Sequence, residues 1–235
     1  MKIAGLQKMT LLDYPGKVAC TVFLPGCNFC CPFCHNGELL GGDVPPLMDD
    51  TELLAFLEKR RGILDAVCIT GGEPTLHSGL GNLMRVIKEM GYLVKLDTNG
   101  YRPNILKQLA ADGVVDYVAM DIKNSPAKYA QTVGLVAMDL TAVEESMMFL
   151  LTGALDYEFR TTVVAQLHDE SSIRDMAKWV GGLVPGRKAK RFFLQPFTDR
   201  ETVIYSGLNA PSQEELNHYI LYLKDIAEMA EIRGQ

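Results

Sequence analysis

The chain has no surplus of positive charge. Its 235 residues carry 23 Lys and Arg against 29 Asp and Glu, a formal net charge of −6. That balance removes the electrostatic basis for expecting nucleic acid or an anionic membrane as partner. No apolar run is long enough to span a bilayer. The opening residues are too polar for a secretion signal and lack a long apolar stretch behind them. Internal repeats and low-complexity segments are missing as well. The expectation is a cytoplasmic protein. In that reducing compartment, clustered cysteines read as metal ligands or redox thiols rather than as a disulfide framework. What is present is an ordinary globular composition, 48% hydrophobic and 22% charged, with enough apolar residues for a real core. The length suits one large α/β domain or two small ones.

Short β-rich runs alternate with helical patterns. Strands are expected at 18–24, 66–70, 92–96, 116–120, 157–164 and 191–194. Helices are expected at 49–60, capped by Asp49 or Asp50, at 80–90, closed by Gly91, and at 103–111, with Pro103 in the first turn. Further helices are expected at 141–151, closed by Gly153, at 171–180, and at 212–229 as a long amphipathic C-terminal helix. About six β-α alternations predict a parallel sheet with helices outside. The fold class expected is α/β, an incomplete (β/α)6 TIM-like barrel in a single domain, 1–235. An open doubly wound sheet fits the same alternation. The unusual polar segments follow the predicted strands: the cysteine loop 26–36, Gly71-Gly72-Glu73-Pro74, Asp97-Thr98-Asn99-Gly100, Asp121-Ile122-Lys123 and Gln195-Pro196, with Arg160 inside the fifth strand. In parallel α/β architectures the carboxyl ends of the strands form the active face.

Four of the six cysteines lie in one short loop, with Cys27, Cys31 and Cys34 at Cys-x3-Cys-x2-Cys spacing. Three readings compete. Cys27-x2-Cys30 and Cys31-x2-Cys34 resemble two zinc knuckles, but directly adjacent knuckles converge poorly on one tetrahedral ion. Cys31-Pro32-Phe33-Cys34 resembles a thioredoxin-type dithiol, which leaves Cys27 and Cys30 unexplained. The third reading is an iron–sulfur cluster on three protein thiolates, with one iron open to another ligand; electron-transfer [4Fe–4S] clusters ordinarily take four cysteines. The third is preferred.

The run Gly26-Cys27-x3-Cys31-x2-Cys34-His35-Asn36 resembles the signature of the radical S-adenosylmethionine (radical SAM) enzymes. With Asp13-Tyr14-Pro15-Gly16-Lys17 upstream, and the Gly71, Asp97 and Met120-Asp121-Ile122-Lys123 motifs downstream, the chain resembles the glycyl-radical-enzyme activating branch. Within it, the chain is most similar to the activators of anaerobic ribonucleoside-triphosphate reductase. The resemblance implies that Cys27, Cys31 and Cys34 ligate a [4Fe–4S] cluster and serve catalysis, and that SAM chelates the open iron. It implies SAM contacts from Phe33 near adenine, from Gly71, Gly72 and Glu73 at the amino group, from Lys123 at the carboxylate, and from Arg160. It further implies a monovalent cation held by Asp97, Thr98 and Asp121, and a contact from Asp13 to the glycyl loop of a client enzyme. Local alternatives stand beside these roles. Phe33 reads equally as core, Gly71-Gly72 as a tight turn, Lys123 as a solvated lysine, Arg160 as the exposed face of a strand, and Asp13 as turn chemistry. The implied partners are a glycyl radical enzyme and a flavodoxin- or ferredoxin-type reductant.

Some residues depart from the resemblance. Cys30 stands where relatives often carry a basic residue and is expected not to be a ligand. Thr198 stands where the pyruvate formate-lyase activator has a histidine, which weakens that enzyme as the client. Cys20 and Cys68 read as inert core residues, and His168 and His218 show no partner pattern. Three other functions stay open: the activator of another glycyl radical enzyme, a radical SAM enzyme acting on a small molecule, such as a deazapurine synthase, and a zinc-binding or electron-transfer module.

Overall fold

The computed structural model describes residues 1–41, 43–153 and 155–234. The chain divides into two compact units, Met1–Asn28 with Glu38–Thr98 and Asn104–Ala119, and Phe29–Gly37 with Asn99–Pro103 and the residues from Met120 onward.

The first unit is built on β1 (Lys2–Ile3), β2 (Gly5–Thr10), β3 (Ala19–Leu24), β4 (Met48–Asp49), α1 (Asp50–Glu58), β5 (Ala66–Gly71), α2 (Leu80–Glu89), β6 (Leu93–Thr98) and most of α3 (Pro103–Ala111). β3, β5 and β6 run parallel, with Ala19 opposite Ala66 and Ala66 opposite Leu93. β2 lies antiparallel to β3, and β1 pairs with β4. The parallel strands are apolar on both faces because helices cover them: Ala19, Cys20, Val22 and Leu24 of β3 and 66–69 of β5 are fully buried. α2 buries Leu80, Leu83, Met84 and Ile87, a single stripe at helical spacing. Asp49, one of the two expected caps, closes α1 reciprocally with Glu52.

β7 (Tyr117–Asp121) begins in the first unit and ends in the second. The second unit continues with α4 (Pro126–Thr132), α5 (Thr141–Thr152), β8 (Asp156–Val163), α6 (Glu170–Gly182), β9 (Ala189–Pro196), α7 (Gln213–Lys224) and β10 (Ala227–Ile232). β8, β9 and β10 are parallel neighbours in that order. At the end of β7, Ile122 N donates to Arg160 O at 2.8 Å. α6 and α7 open on reciprocal caps, Asp169 with Ser172 and Ser212 with Glu215.

The expected helix at 212–229 is corrected. It stops at Lys224, and Ala227–Ile232 forms a strand paired with β9. Ala, Glu and Met are helix formers, but an open strand edge overrides that preference. Arg233 fastens the strand: its guanidinium donates to both carboxylate oxygens of buried Glu158, at 2.7 and 2.9 Å, and lies 3.6 Å over the Phe193 ring. β2 and α4 are further elements beyond the expected alternation. Among the described residues no helix is long and apolar enough to cross a membrane.

Candidate functional site

The cysteine loop leaves β3 at Leu24 and is fastened from both of its ends. In the first unit, Gly72 N donates to Leu24 O and Glu73 N to Gly26 O, each at 2.8 Å. These bonds carry the pairing of β3 with β5 past the strand ends. A Cβ on Gly71 would stand 2.3 Å from Leu24 O, and one on Gly72 would stand 2.0 Å from Gly26 O. Only glycines permit so close a backbone approach. Gly26 N donates to Leu39 O at 2.7 Å and Cys27 N to Leu40 O at 3.3 Å.

In the second unit, Cys30 N donates to Val133 O at 2.9 Å. A Cβ on Gly134 would meet Cys30 O at 2.3 Å. His35 stacks on Phe197 at 5.6 Å between centroids, and its Nε2 lies 2.7 Å from Thr198 O. Thr202 Oγ1 donates to His35 O at 2.6 Å.

All six thiols are free. Cys31 is buried, Cys27 and Cys34 are half-buried, and Cys30 is exposed. Burial pushes the Cys34 thiol up, with the Asn36 backbone and the Lys123 charge opposing it. Cys20 and Cys68 lie inside β3 and β5; burial pushes Cys20 up to about 12 and Cys68 higher still, so both stay protonated interior thiols. Among the described residues, no group of three or more His, Cys, Asp or Glu is placed to hold a single metal ion. Three thiols on one anchored loop are a soft donor set, which fits an iron–sulfur cluster. Phe33 is buried in the second unit.

Glu73 is buried, and its Oε1 accepts from Thr75 N at 3.1 Å, from Thr75 Oγ1, and from Thr98 Oγ1 at 2.8 Å. Glu73 therefore stiffens the turn after Gly72, and Thr98 holds Glu73. Asp97 is ion-paired with Lys95, a fully buried lysine inside β6. A charge in the middle of an otherwise apolar strand was the available sequence signal for Lys95, and sequence reasoning passed over it. Asp121 is likewise paired, so each of the carboxylates suggested for a monovalent cation already faces a side-chain cation. Asp13 accepts from Thr21 Oγ1 at the turn joining β2 to β3, beside exposed Leu11 and Leu12.

Asp121, Lys123 and Arg160 come together where β7 ends, with Arg160 supplied from inside β8. Asp121 accepts from Lys123 Nζ at 2.9 Å and from Arg160 Nε at 3.0 Å. Burial alone would raise the carboxyl, but the Arg160 guanidinium and Lys123 ammonium outweigh it and hold Asp121 at about 2. Burial opposes the Lys123 charge, and Asp121 holds the ammonium well above the ordinary lysine range. Arg160 therefore faces a carboxylate, not open solvent, and Lys123 is not a freely solvated side chain. His168 is buried, and its Nε2 lies 2.8 Å from Lys123 O. Burial lowers its pKa and keeps the ring neutral. Nothing adjacent in sequence marks His168 as a partner of residue 123; the fold alone joins them.

The sequence model of the Radical SAM superfamily matches residues 21–147. A curated relative from Methanocaldococcus jannaschii, named a glycyl-radical enzyme activating enzyme, is 33% identical over 188 residues, covering 76% of this chain and 75% of its own. A relative from Saccharolobus islandicus, named a GTP 3′,8-cyclase, is 41% identical over 85 residues, covering 36% of this chain and 26% of its own. Among solved structures, a domain of a pyruvate-formate lyase-activating enzyme from Bacteroides vulgatus aligns with a TM-score of 0.56 at 19% identity, covering 70% of this chain and 98% of that one. This last likeness concerns the fold.

Proposed function

Because the chain belongs to the radical SAM superfamily, we propose that it is a radical SAM activase, forming a glycyl radical on a partner enzyme, with anaerobic ribonucleotide reductase as the client. The observation that carries this reading is the cysteine loop seated on the Gly71-Gly72 backbone at the carboxyl ends of β3 and β5. The 33% identical activating relative supports the protein-substrate class. Cys27, Cys31 and Cys34 would hold a [4Fe–4S] cluster, which when bound supplies the electron that cleaves SAM to methionine and a 5′-deoxyadenosyl radical.

The chain's own residues bind and orient. Lys123 presents an ammonium held charged by Asp121 and receives the methionyl carboxylate of SAM. Arg160 and Asp121 fix the direction of that ammonium. Gly71 and Gly72 leave their backbone groups accessible for the methionyl amino group, and Glu73, locked by Thr75 and Thr98, sets the turn that carries them. Phe33 packs against adenine. Asp13, in the turn before β3, meets the client's glycyl segment. Hydrogen-atom transfer from the glycine α-carbon to C5′ then yields 5′-deoxyadenosine and the glycyl radical. The electron donor is a flavodoxin- or ferredoxin-type protein, and the whole chain acts as one domain.

The test is anaerobic reconstitution with iron and sulfide, followed by electron paramagnetic resonance with and without SAM. The expected outcome is a reduced-cluster signal that changes on SAM addition, with 5′-deoxyadenosine formed and a glycyl doublet on the reductase. Stoichiometric zinc without acid-labile sulfide would overturn the enzyme reading. The cyclase relative favours a second reading, a small-molecule substrate. Turnover of such a substrate, with no radical on any glycine, would select it.

A further inference from the structure

β7 ends at Asp121, two residues before Lys123. Past the strand, Ile122 N–H still donates to Arg160 O at 2.8 Å. Its carbonyl accepts from the Thr161 side chain at 2.7 Å. Beyond that point, side chains take over the contacts. Lys123 O meets His168 Nε2 at 2.8 Å, and Asn124 Nδ2 donates to Leu167 O at 2.9 Å.

Two consecutive residues, 123 and 124, are thus latched reciprocally onto the turn between β8 and α6. That turn is itself closed, with Leu167 N and His168 N both donating to Val164 O, at 3.0 and 2.9 Å. It runs directly into the capped start of α6 at Asp169. With Nε2 donating to Lys123, His168 Nδ1 accepts from Val164 N at 3.1 Å. Both ring nitrogens are then used by one neutral tautomer.

We propose that His168 is a positioning residue for SAM binding, which fixes the Lys123 backbone beyond the strand end so that the ammonium is held in place for the methionyl carboxylate. This rests on the functional reading of Lys123 above. A backbone released at residue 123 lets a four-carbon side chain swing by more than the tolerance of an oriented contact.

The test compares His168→Gln with His168→Asn in the full chain. The glutamine amide nitrogen reaches the place of Nε2 and keeps the bond to Lys123 O. The asparagine amide reaches only the place of Nδ1 and leaves that carbonyl unpaired. The expected result, from titrating SAM into the reconstituted protein, is Kd raised about tenfold in H168N and within about threefold of wild type in H168Q. SAM cleavage at saturating SAM should change less than about threefold in either variant, so the effect falls on binding rather than on turnover. Hydrogen exchange of cluster-free protein should show the 122–125 segment opening about tenfold faster in H168N than in H168Q. In a Lys123→Met background, H168N should add no further loss of SAM affinity.

Wild-type SAM affinity in H168N, equal weakening in both variants at equal melting temperature, or additivity with K123M would overturn the proposal. Wild-type protein that takes up a cluster yet ignores SAM would overturn the functional reading instead.

Discussion

Two lysine–aspartate pairs share a two-residue spacing in opposite order, and the fold buries them differently. In the first unit, Lys95 precedes Asp97 inside β6, with the lysine side chain 2% exposed and the aspartate 17%. In the second, Lys123 follows Asp121 beyond the end of β7, with side chains 15% and 29% exposed, and Arg160 joins them. Residues two apart on a strand share a face, which pairs Lys95 with Asp97; past the end of β7 the same spacing lets Lys123 reach back to Asp121. Position relative to the strand end decides the rest. An ammonium inside the strand is sealed against its partner and serves the fold. One past the strand end is more exposed, and under the proposed function its ammonium takes the SAM carboxylate.

The comparison breaks most sharply on stability. Lys95→Met leaves a partly buried carboxylate without its ammonium and should cost about 3 kcal/mol in denaturant unfolding of the cluster-free protein, with most of that recovered in Lys95→Met/Asp97→Leu. A cost below about 1 kcal/mol would place Lys95 with the ligand-facing pair. Lys123→Met should show the converse pattern. SAM affinity should fall about 30-fold, equivalent to about 2 kcal/mol, while unfolding free energy changes by less than about 1 kcal/mol because Asp121 keeps Arg160.

The third prediction concerns pH. The Asp121 carboxyl is held at about 2, below its ordinary value of 3.8. Its folded-state value is therefore the lower one, so the stability it contributes is present above pH ~4 and is lost as pH falls toward 2. That contribution is about 2 kcal/mol near neutrality, and about 1 kcal/mol of it should be gone at pH 3. Asp121→Asn should flatten this acid limb in denaturant titrations at pH 6 and pH 3. The smallest expected effect is on monovalent cations. With Lys95 already on Asp97, replacing potassium by choline should change SAM affinity less than about twofold. A larger dependence would return Asp97 and Thr98 to cation binding.

Much of this was legible before any coordinates. The strands at 19–24 and 66–71 and helix 103–111 follow from periodicity, and Asp49 and Gly153 mark helix boundaries that the structure keeps. The cysteine loop was readable because its chemistry is local: three thiols in one loop. Gly71-Gly72 was read as a SAM contact or a tight turn, and its close approach to the Leu24 and Gly26 backbone emerged only in the fold. The C-terminal segment misled because Ala227–Ile232 consists of helix formers whose strand pairing depends on β9, more than 30 residues earlier. Lys95 was passed over although its signal was local, a charge in an apolar strand two residues from Asp97. His168 was given no role for the opposite reason, because it acquires its partner only where the β8–α6 turn meets the end of β7.

The sequence by itself determined the α/β alternation, the thiol donor set and the residue types at each strand end, because periodicity, spacing and donor chemistry are properties of short stretches. Only the tertiary structure decided which carboxylates were already paired, which lysine was sealed and which was open, and that a histidine holds the backbone of residue 123. Those outcomes depend on burial and on contacts between segments far apart in the chain, where the cost of an unpaired charge or carbonyl is set by what packs around it.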